Sequence, residues 1–415
     1  MMQSYNTLKE LDFERLAGSA GEMRAIEVIS GYLAALNLHP NVEEFALKSF
    51  DAGRAEIVTG NKRWDAIPFG LCSDVVLKSA LVYLENLDIL PHSLGAYEGK
   101  IVMYYHNSKL ISELLEGSGV KALIGISAPH KSASVRAHRQ NATDNVPHVM
   151  ISYSQAEELK AYDGQEIEFR INQNQEERSA HNIVLDIPGS GQDQNLTLLV
   201  GHYDSVARSH GSCDNAAGSV CLLQAAEYFS VHKPKRDLRI IWFSGEEMGL
   251  LGSTAYMEAH KDELQKRLRL VINIDLAGDP IGRNVLMVLG TKEIMGYASG
   301  TLREEGIYFQ EILNIYSSDC MPFAVYEIPS INIARLGGKA LFYIHSEDDQ
   351  AKHCTQEGID VVANAGITLL SRILNAKIYP VNKEIDDSLR DKIEKYMYNS
   401  RLQKPELHWR ESYRK

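Results

Sequence analysis

The spacing of apolar residues along the chain predicts alternating helices and strands. Residues 8–37 place apolar side chains at helical spacing, which indicates a pair of helices, and residues 42–47 alternate as a strand does. Continuous apolar runs typical of buried strands cover residues 196–200, 238–243, 270–274 and 330–333. A long helical pattern follows at residues 354–376. Strands that alternate with helices favour an α/β fold.

The pattern changes between about residues 62 and 176, where the predicted strands are short and closely spaced. They cover residues 79–84, 100–105, 122–126, 147–152 and 166–171. No metal-ligand motif lies among them. At the other end, the tail 381–415 mixes charges of both signs with aromatic residues, which favours a helix packed on the domain or on a partner subunit over disorder.

The composition is that of an acidic globular protein with ample material for a core. The chain has 415 residues, 44% of them hydrophobic, and a net charge of −12. Its acidic balance argues against a nucleic-acid partner, because binding to phosphates draws on basic residues. No apolar stretch approaches about 18 residues, the length that favours a membrane span. We therefore expect neither nucleic acid nor membrane as a partner.

The cysteines and the first residues indicate a cytoplasmic protein. Five cysteines are scattered without C-x-x-C spacing, which is typical of reduced thiols rather than of a disulfide framework. The first residues lack the basic and apolar regions of a secretory signal.

Carboxylate and imidazole side chains follow the predicted strands of the second half. They are His202, Asp204, Asp214, Glu246, Glu247, Asp275 and His345. Taken singly, each has an ordinary explanation, such as a helix N-cap for Asp214. Ligands in open α/β sheets, however, gather beyond the carboxyl ends of the strands. Together these residues suit two ions of the zinc type better than a structural purpose.

Two pairs carry more information than the others. In His202-x-Asp204, the carboxylate can reach the second imidazole nitrogen, fix the tautomer and raise the basicity of the ring as a ligand. The adjacent carboxylates of Glu246 and Glu247 at a strand end repel each other unless a cation or a shared proton offsets their charge.

Five segments around these residues resemble the metal-site blocks of the co-catalytic di-zinc exopeptidases. The segments are GHYDS, SCDNAAGS, SGEEMGLLGS, INIDLAGD and IHSEDD. The resemblance is to the family that holds the bacterial leucyl aminopeptidases and glutamate carboxypeptidase. It implies a three-layer sandwich with a mixed, mostly parallel central sheet.

The segments GKIVMYYH, GVKALIGIS and VPHVMISYSQAEEL resemble the protease-associated domain that this family often carries as an insertion. The implied organisation is a catalytic domain of residues 1–61 and 177–380, a smaller α/β insert at 62–176, and a helical tail at 381–415.

The family resemblance also implies a role for each candidate ligand. Asp214 bridges two zinc ions, of which one is also held by His202 and Asp275 and the other by Glu247 and His345. Glu246 is the general base for a water shared by the two ions, and Asp204 is the partner of His202. The implied activity is hydrolysis of N-terminal residues from short peptides.

The chain departs from the family pattern at two places. Many relatives have tyrosine directly before the last histidine, whereas this chain has Ile344 there and Tyr343 one residue earlier. Because residues 342–344 are expected to be extended, Tyr343 points to the opposite side, and its role in substrate binding is open. Cys320 replaces a usual histidine, and we expect it to pack as a small apolar residue.

Other functions remain open on the same scaffold. A related carboxypeptidase needs a cation for the terminal carboxylate, for which Arg335 is a candidate, although a structural salt bridge is the more ordinary role for it. A glutaminyl cyclase is expected to hold one zinc, and a non-catalytic binding protein is expected to lose ligands. The oligomeric state, including a homo-oligomer, is also open.

Overall fold

Two separate sets of strands organise the chain in the computed structural model, which describes residues 3–85, 94–105, 114–138, 140, 145–191 and 193–400. The strands are β1 (Asn41–Phe50), β2 (Arg54–Thr59), β3 (Lys62–Pro68), β4 (Val75–Leu84), β5 (Ile101–Tyr104), β6 (Ala122–Ile126), β7 (His148–Ile151), β8 (Glu166–Asn172), β9 (Gln175–Ile187), β10 (Leu196–His202), β11 (Asp237–Phe243), β12 (Leu268–Ile274), β13 (Arg283–Leu289), β14 (Gln310–Leu313) and β15 (Ser330–Leu336).

The helices within the same residues vary from one turn to more than five. They are α1 (Ser4–Glu10), α2 (Ala20–Ala35), α3 (Tyr153–Leu159), α4 (Ala217–Val231), α5 (Leu251–Ala259), α6 (Lys261–Arg267), α7 (Lys292–Glu304), α8 (Met321–Ala324), α9 (Gly338–Tyr343), α10 (Gln356–Asn375) and α11 (Asp387–Ser400). None of them is both long and apolar enough to cross a membrane.

An eight-stranded sheet in the order β1-β9-β11-β10-β12-β15-β13-β14 forms the larger unit. Its four central strands, β11, β10, β12 and β15, are parallel, whereas β9 and β13 join them antiparallel. Residues of α1, α2, α4, α7 and α10 form the apolar core on one face, and α5, α6 and α8 cover the other. The expected α/β fold with a mixed central sheet is confirmed.

The central strands are buried on both faces, which explains their continuous apolar sequences. All seven residues of β10 are buried, and so are the last four of β11. Because parallel strands covered by helices on both sides have no solvent face, their sequences do not alternate. The carboxyl ends of these strands meet at one edge of the sheet, and the polar candidate residues lie at that edge or just beyond it.

The second unit is a closed barrel in the order β2-β3-β7-β6-β5-β4-β8. It has an apolar core of its own, which includes Ile57, Ile124 and Phe169. The chain enters it from β1 and returns to the large sheet through β9, which pairs with β1 along its length. The barrel starts at Arg54, before the change of pattern placed at residue 62, because β2 and β3 form one of its hairpins.

The predicted helices at 8–37 and 354–376 are present as α1, α2 and α10, and the strands at 196–200, 238–243 and 270–274 as β10, β11 and β12. The expectation of an extended segment at 342–344 is wrong. Gly337 and Gly338, both with positive φ, turn the chain after β15 into α9, which ends at Tyr343.

The C-terminal region packs on the large unit. Ile385, Leu389, Ile393 and Met397 form an apolar cluster with residues of α8, and the buried Cys320 belongs to that cluster. Cys320 therefore packs as expected. The predicted tail is helical over α11 but not over residues 381–386, and residues 401–415 lie outside the described residues.

Candidate metal centre

The candidate ligands lie just beyond the carboxyl ends of the central strands. His202 is the last residue of β10, and Asp275 directly follows β12. Asp214 lies in the turn at Ser212–Ala216 that leads into α4, so it is not the N-cap of that helix. Glu247 follows β11 by a short turn, and His345 follows α9.

These side chains form two groups that share one carboxylate. In the first group, His202 Nε2 lies 3.1 Å from Asp214 Oδ1 and 3.6 Å from Asp275 Oδ1. In the second, His345 Nε2 lies 3.2 Å from Asp214 Oδ2 and 3.1 Å from Glu247 Oε2. Within each group the potential ligand atoms all lie within 4.8 Å of one another. The two oxygens of Asp214 thus face different histidines, which is the geometry of a bridging ligand.

The electrostatics of the centre favour bound cations. Burial raises the pKa of Glu246 well above its ordinary value, and the charge of Glu247 adds to the shift. Burial opposes the charged form of His202, but Asp204, Asp214 and Asp275 raise its pKa well above its usual range. Carboxylates thus crowd a buried space in which divalent cations would offset their repulsion.

The donor set also fits zinc. Each group combines one imidazole nitrogen with carboxylate oxygens, and both donor types are ordinary zinc ligands. Oxygen Oε1 of Glu247 is buried and has no hydrogen-bond partner among the described residues. Buried polar atoms are normally satisfied, so an ion is a reasonable partner for this one. Glu246 belongs to neither group and is therefore left for another role.

Asp204 contacts residues of both ligand groups. The Nδ1 atom of His202 lies 3.2 Å from the carbonyl oxygen of Asp204 and 3.5 Å from its carboxylate. The same carboxylate accepts hydrogen bonds from the backbone N–H groups of Glu246, at 3.2 Å, and Glu247, at 3.3 Å. The hydrogen bonds from the backbone of Glu246 and Glu247 to Asp204 were not predicted, because they join the ends of two different strands, β10 and β11.

Two further residues that sequence reasoning missed position the Asp214 turn. The carboxylate of Asp349 accepts from the backbone N–H groups of Cys213, at 2.8 Å, and Asp214, at 3.1 Å. Arg15, fully buried, donates to the carbonyl oxygens of Tyr203, at 2.6 Å, and Gly211, at 2.9 Å. Asp349 closes the IHSEDD segment and could have been singled out there, whereas nothing local marks Arg15.

The two candidate substrate contacts lie in different surroundings. The ring of Tyr343 packs against Phe342 and His353, with ring centres 5.2 and 4.9 Å apart. Arg335 donates to Asn284 Oδ1 at 2.6 Å and to carbonyl oxygens of the turn after β12. Neither residue belongs to the two ligand groups. The bonds of Arg335 give it a structural part in that turn.

Comparison with known proteins gives this centre a family context. Residues 182–370, which contain every candidate ligand, match peptidase family M28. Leucine aminopeptidase 2 of Trichophyton equinum is 33% identical over 105 residues, which are 25% of this chain and 21% of that protein. Aminopeptidase YwaD of Bacillus subtilis is 23% identical over 66% of this chain and 61% of its own length. The chain thus spans about a fifth of the first relative and less than two thirds of the second.

Solved structures share the fold over most of the chain. A zinc aminopeptidase from Bacillus subtilis superposes with a TM-score of 0.77 and 20% identity, covering 92% of this chain and 98% of that one. An M28 peptidase precursor from Shewanella amazonensis also gives a TM-score of 0.77, with 18% identity over 92% of this chain and 94% of the other. At this level of identity the likeness establishes the fold.

Proposed function

Residues 182–370 match peptidase family M28, and we propose that the chain belongs to this family and is a zinc-dependent aminopeptidase acting on short peptides. The observation that carries the proposal is the pair of ligand groups joined by Asp214, with Glu246 beside them and outside both. A non-catalytic protein on this scaffold has no need of a free buried glutamate next to a complete ligand set. The names of the relatives, several of them aminopeptidases, support the same activity.

The proposed centre holds two zinc ions. Asp214 would be shared by both ions, His202 and Asp275 would hold one of them, and Glu247 and His345 would hold the other. When bound, the pair lowers the pKa of the attacking water and stabilises negative charge that develops on the scissile carbonyl. A complete second position favours this assignment over a glutaminyl cyclase with one zinc.

The protein side chains supply proton transfer and orientation. The carboxylate of Glu246 takes the proton of the attacking water and passes it to the leaving amine, which needs no covalent intermediate. Asp204 holds the backbone of Glu246 by a hydrogen bond, so the base is fixed relative to His202. Such support of the groups around a metal is a usual requirement for its affinity and activity.

We assign the barrel, which starts at Arg54 instead of residue 62 and whose last strand ends at Asn172, to a protease-associated type of insert, and residues 1–53 and 175–380 to the catalytic domain. The barrel contacts the His345 segment through Lys131 and Val135, so it lies against the rim of the centre. A unit in this position narrows the approach to the ions and favours short peptides. Rates on dipeptides and on an unfolded protein of tens of kilodaltons test this, and equal rates per chain end would contradict it.

The charge of the protein favours one end of a peptide substrate over the other. The chain has a net charge of −12, and this acidic balance favours the free amine of a peptide over its terminal carboxylate. N-acetylation of a good substrate should therefore abolish cleavage, whereas C-terminal amidation leaves it largely intact. The reverse pattern would assign a carboxypeptidase, and Arg335 would then be the first residue to mutate.

We also infer a cytoplasmic location. All five cysteines are free and buried, which suits a reducing compartment. Cell fractionation with antibodies against the protein tests this, and recovery with the secreted fraction would contradict it.

A further inference from the structure

The two proposed metal positions receive different support from the rest of the chain. The ligands of the first, His202, Asp214 and Asp275, follow strands or a turn of the large unit and are almost fully buried. The second depends on His345, whose side chain is 32% exposed, compared with 1% for His202. Because His345 is more exposed, contacts from other parts of the chain are needed to fix its position.

The backbone at His345 is strained. Its φ is +58°, in the left-handed region that residues with a Cβ atom seldom adopt. Such conformations persist where the surrounding structure determines them. Within the segment around His345, Ser346 Oγ donates to the carbonyl of Tyr343, and at its far end Asp349 accepts from the backbone N–H groups of Cys213 and Asp214.

One loop of the barrel supplies hydrogen bonds to the part of the segment nearest the ligand, at Ile344, His345 and Asp348. The N–H of Val135 donates to the carbonyl of His345 at 2.7 Å. The ammonium group of Lys131 donates to the carbonyl of Ile344 at 2.8 Å. The N–H of Ser132 donates to Asp348 Oδ2 at 2.9 Å. Three bonds from one short loop thus fix the residues on both sides of the ligand.

The loop is itself held by the barrel. It lies between β6 and β7, and the N–H of Ser134 donates to Ser127 Oγ, just beyond the end of β6, at 3.1 Å. Lys131 is half-buried, with Arg136 as a nearby like charge and Asp348 as a nearby opposite charge. A charge-assisted hydrogen bond is stronger than a neutral one, so Lys131 is the side chain that should matter most.

We propose that the barrel loop at residues 131–135 positions His345 and thereby completes the second metal position, while the first position forms without it. The proposal rests on the two-ion centre of the proposed function. It makes Lys131 a positioning residue for a ligand more than 200 residues away in sequence. It also couples the docking of the barrel to occupancy of one ion.

Zinc titration of the metal-free protein tests this coupling. Lys131→Met removes the donor but keeps most of the side-chain stem. We expect the dissociation constant of one zinc ion to rise about 10- to 100-fold, as for other residues that support ligands, while that of the other stays at the parent value. Thermal unfolding without metal checks that the fold is unchanged, and Asp348→Ala, which removes the acceptor of Ser132, should act in the same direction.

A surface lysine of the barrel provides the matched control. Lys78 is 61% exposed and pairs with Glu168 at 3.2 Å, and Lys78→Met should leave both zinc constants unchanged. Parent constants in Lys131→Met, an equal loss of both ions, or the same loss in Lys78→Met would each overturn the proposal. A parent protein that binds fewer than two ions would instead overturn the proposed two-ion function, so the two failures are distinguishable.

Hydrogen exchange tests the reverse effect, that of zinc binding on the barrel loop. If the loop supports the second ion, zinc must in turn stabilise the loop, because coupling between two sites is reciprocal. The amide of Val135 should therefore exchange more slowly in saturating zinc than without it. In His345→Ala this protection should disappear, and protection that persists in that variant would contradict the coupling.

Discussion

The two halves of the candidate metal centre are built in different ways. His202 and Asp275 are placed by β10 and β12, neighbouring parallel strands in the middle of the large sheet. His345 is placed by a strained turn after a short helix, with hydrogen bonds from the barrel. The first half is thus built within the large unit, whereas the second also receives hydrogen bonds from the barrel.

The difference shows how an inserted unit can become part of a site without contributing a ligand. Neither ligand group contains a residue of the barrel. Its contacts instead end on backbone carbonyls and on Asp348 beside His345. Removing or shifting such a unit should weaken one half of the centre and spare the other.

The largest expected effect comes from removing the carboxylate that the halves share. Asp214→Ala should lose both ions together, because each position keeps only two of its ligands. His345→Ala should chiefly weaken one ion. Metal content after dialysis measures both variants. If Asp214→Ala retains one tightly bound ion, the carboxylate does not bridge, and the two halves are independent sites.

Glu246→Gln should affect chemistry in preference to binding. The variant keeps the size of the side chain and removes the base, so kcat should fall by about 10²–10⁴ while both ions and the fold are kept. Steady-state rates on a dipeptide, with metal content measured on the same samples, check this. Parent activity would show that the water loses its proton elsewhere.

Asp204→Asn should have a smaller effect on both halves. Asn offers one acceptor oxygen where Asp204 offers two, so the N–H of Glu246 or of Glu247 loses its partner. We expect zinc affinity or kcat/KM to fall by about 10- to 100-fold. The exposed Asp186→Asn, at a surface pair with Arg239, is the control and should change neither quantity. An effect confined to one ion would mean that Asp204 supports only that half.

The first half of the centre could be predicted from sequence and the second only in part. Buried parallel strands have continuous apolar sequences, and the polar residue that ends each run, such as His202 or Asp275, must lie at the common edge of the sheet. The apolar run at 342–344 resembles the end of such a strand. Three residues, however, cannot distinguish a strand from a helix, and α9 ends at Tyr343, within this run.

The supporting residues were harder to predict because their contacts span long sequence separations. Arg15 donates to a carbonyl 188 residues away, and Lys131 to one 213 residues away. Both acceptors are backbone carbonyls, which every residue has. The sequence therefore contains no particular residue type that marks the acceptor. Resemblance to a family can mark ligands in this situation, but it does not mark the bonds that hold them.

Acidification should lower the stability of the barrel through two buried histidines. His138 and His148 are buried in the barrel, where burial lowers the pKa of His138 to about 4 and that of His148 well below its ordinary value. The groups that face them are Tyr104, Arg136 and the ring of Phe69, none of which is a carboxylate. Nothing among these contacts stabilises a charged imidazole.

The sign of the pH dependence follows from these shifts. Both histidines have folded pKa values below the unfolded value of 6.5. Between these two values the imidazoles are protonated in the unfolded chain and neutral in the folded barrel. Stability is therefore full above pH 6.5 and is lost as the pH falls, by about 1.4 kcal/mol per pH unit for each histidine, until the folded pKa is reached. Denaturant unfolding of His138→Gln should show a shallower loss between pH 6.5 and 4 than the parent, and an unchanged slope would show that burial of His138 is not its cause.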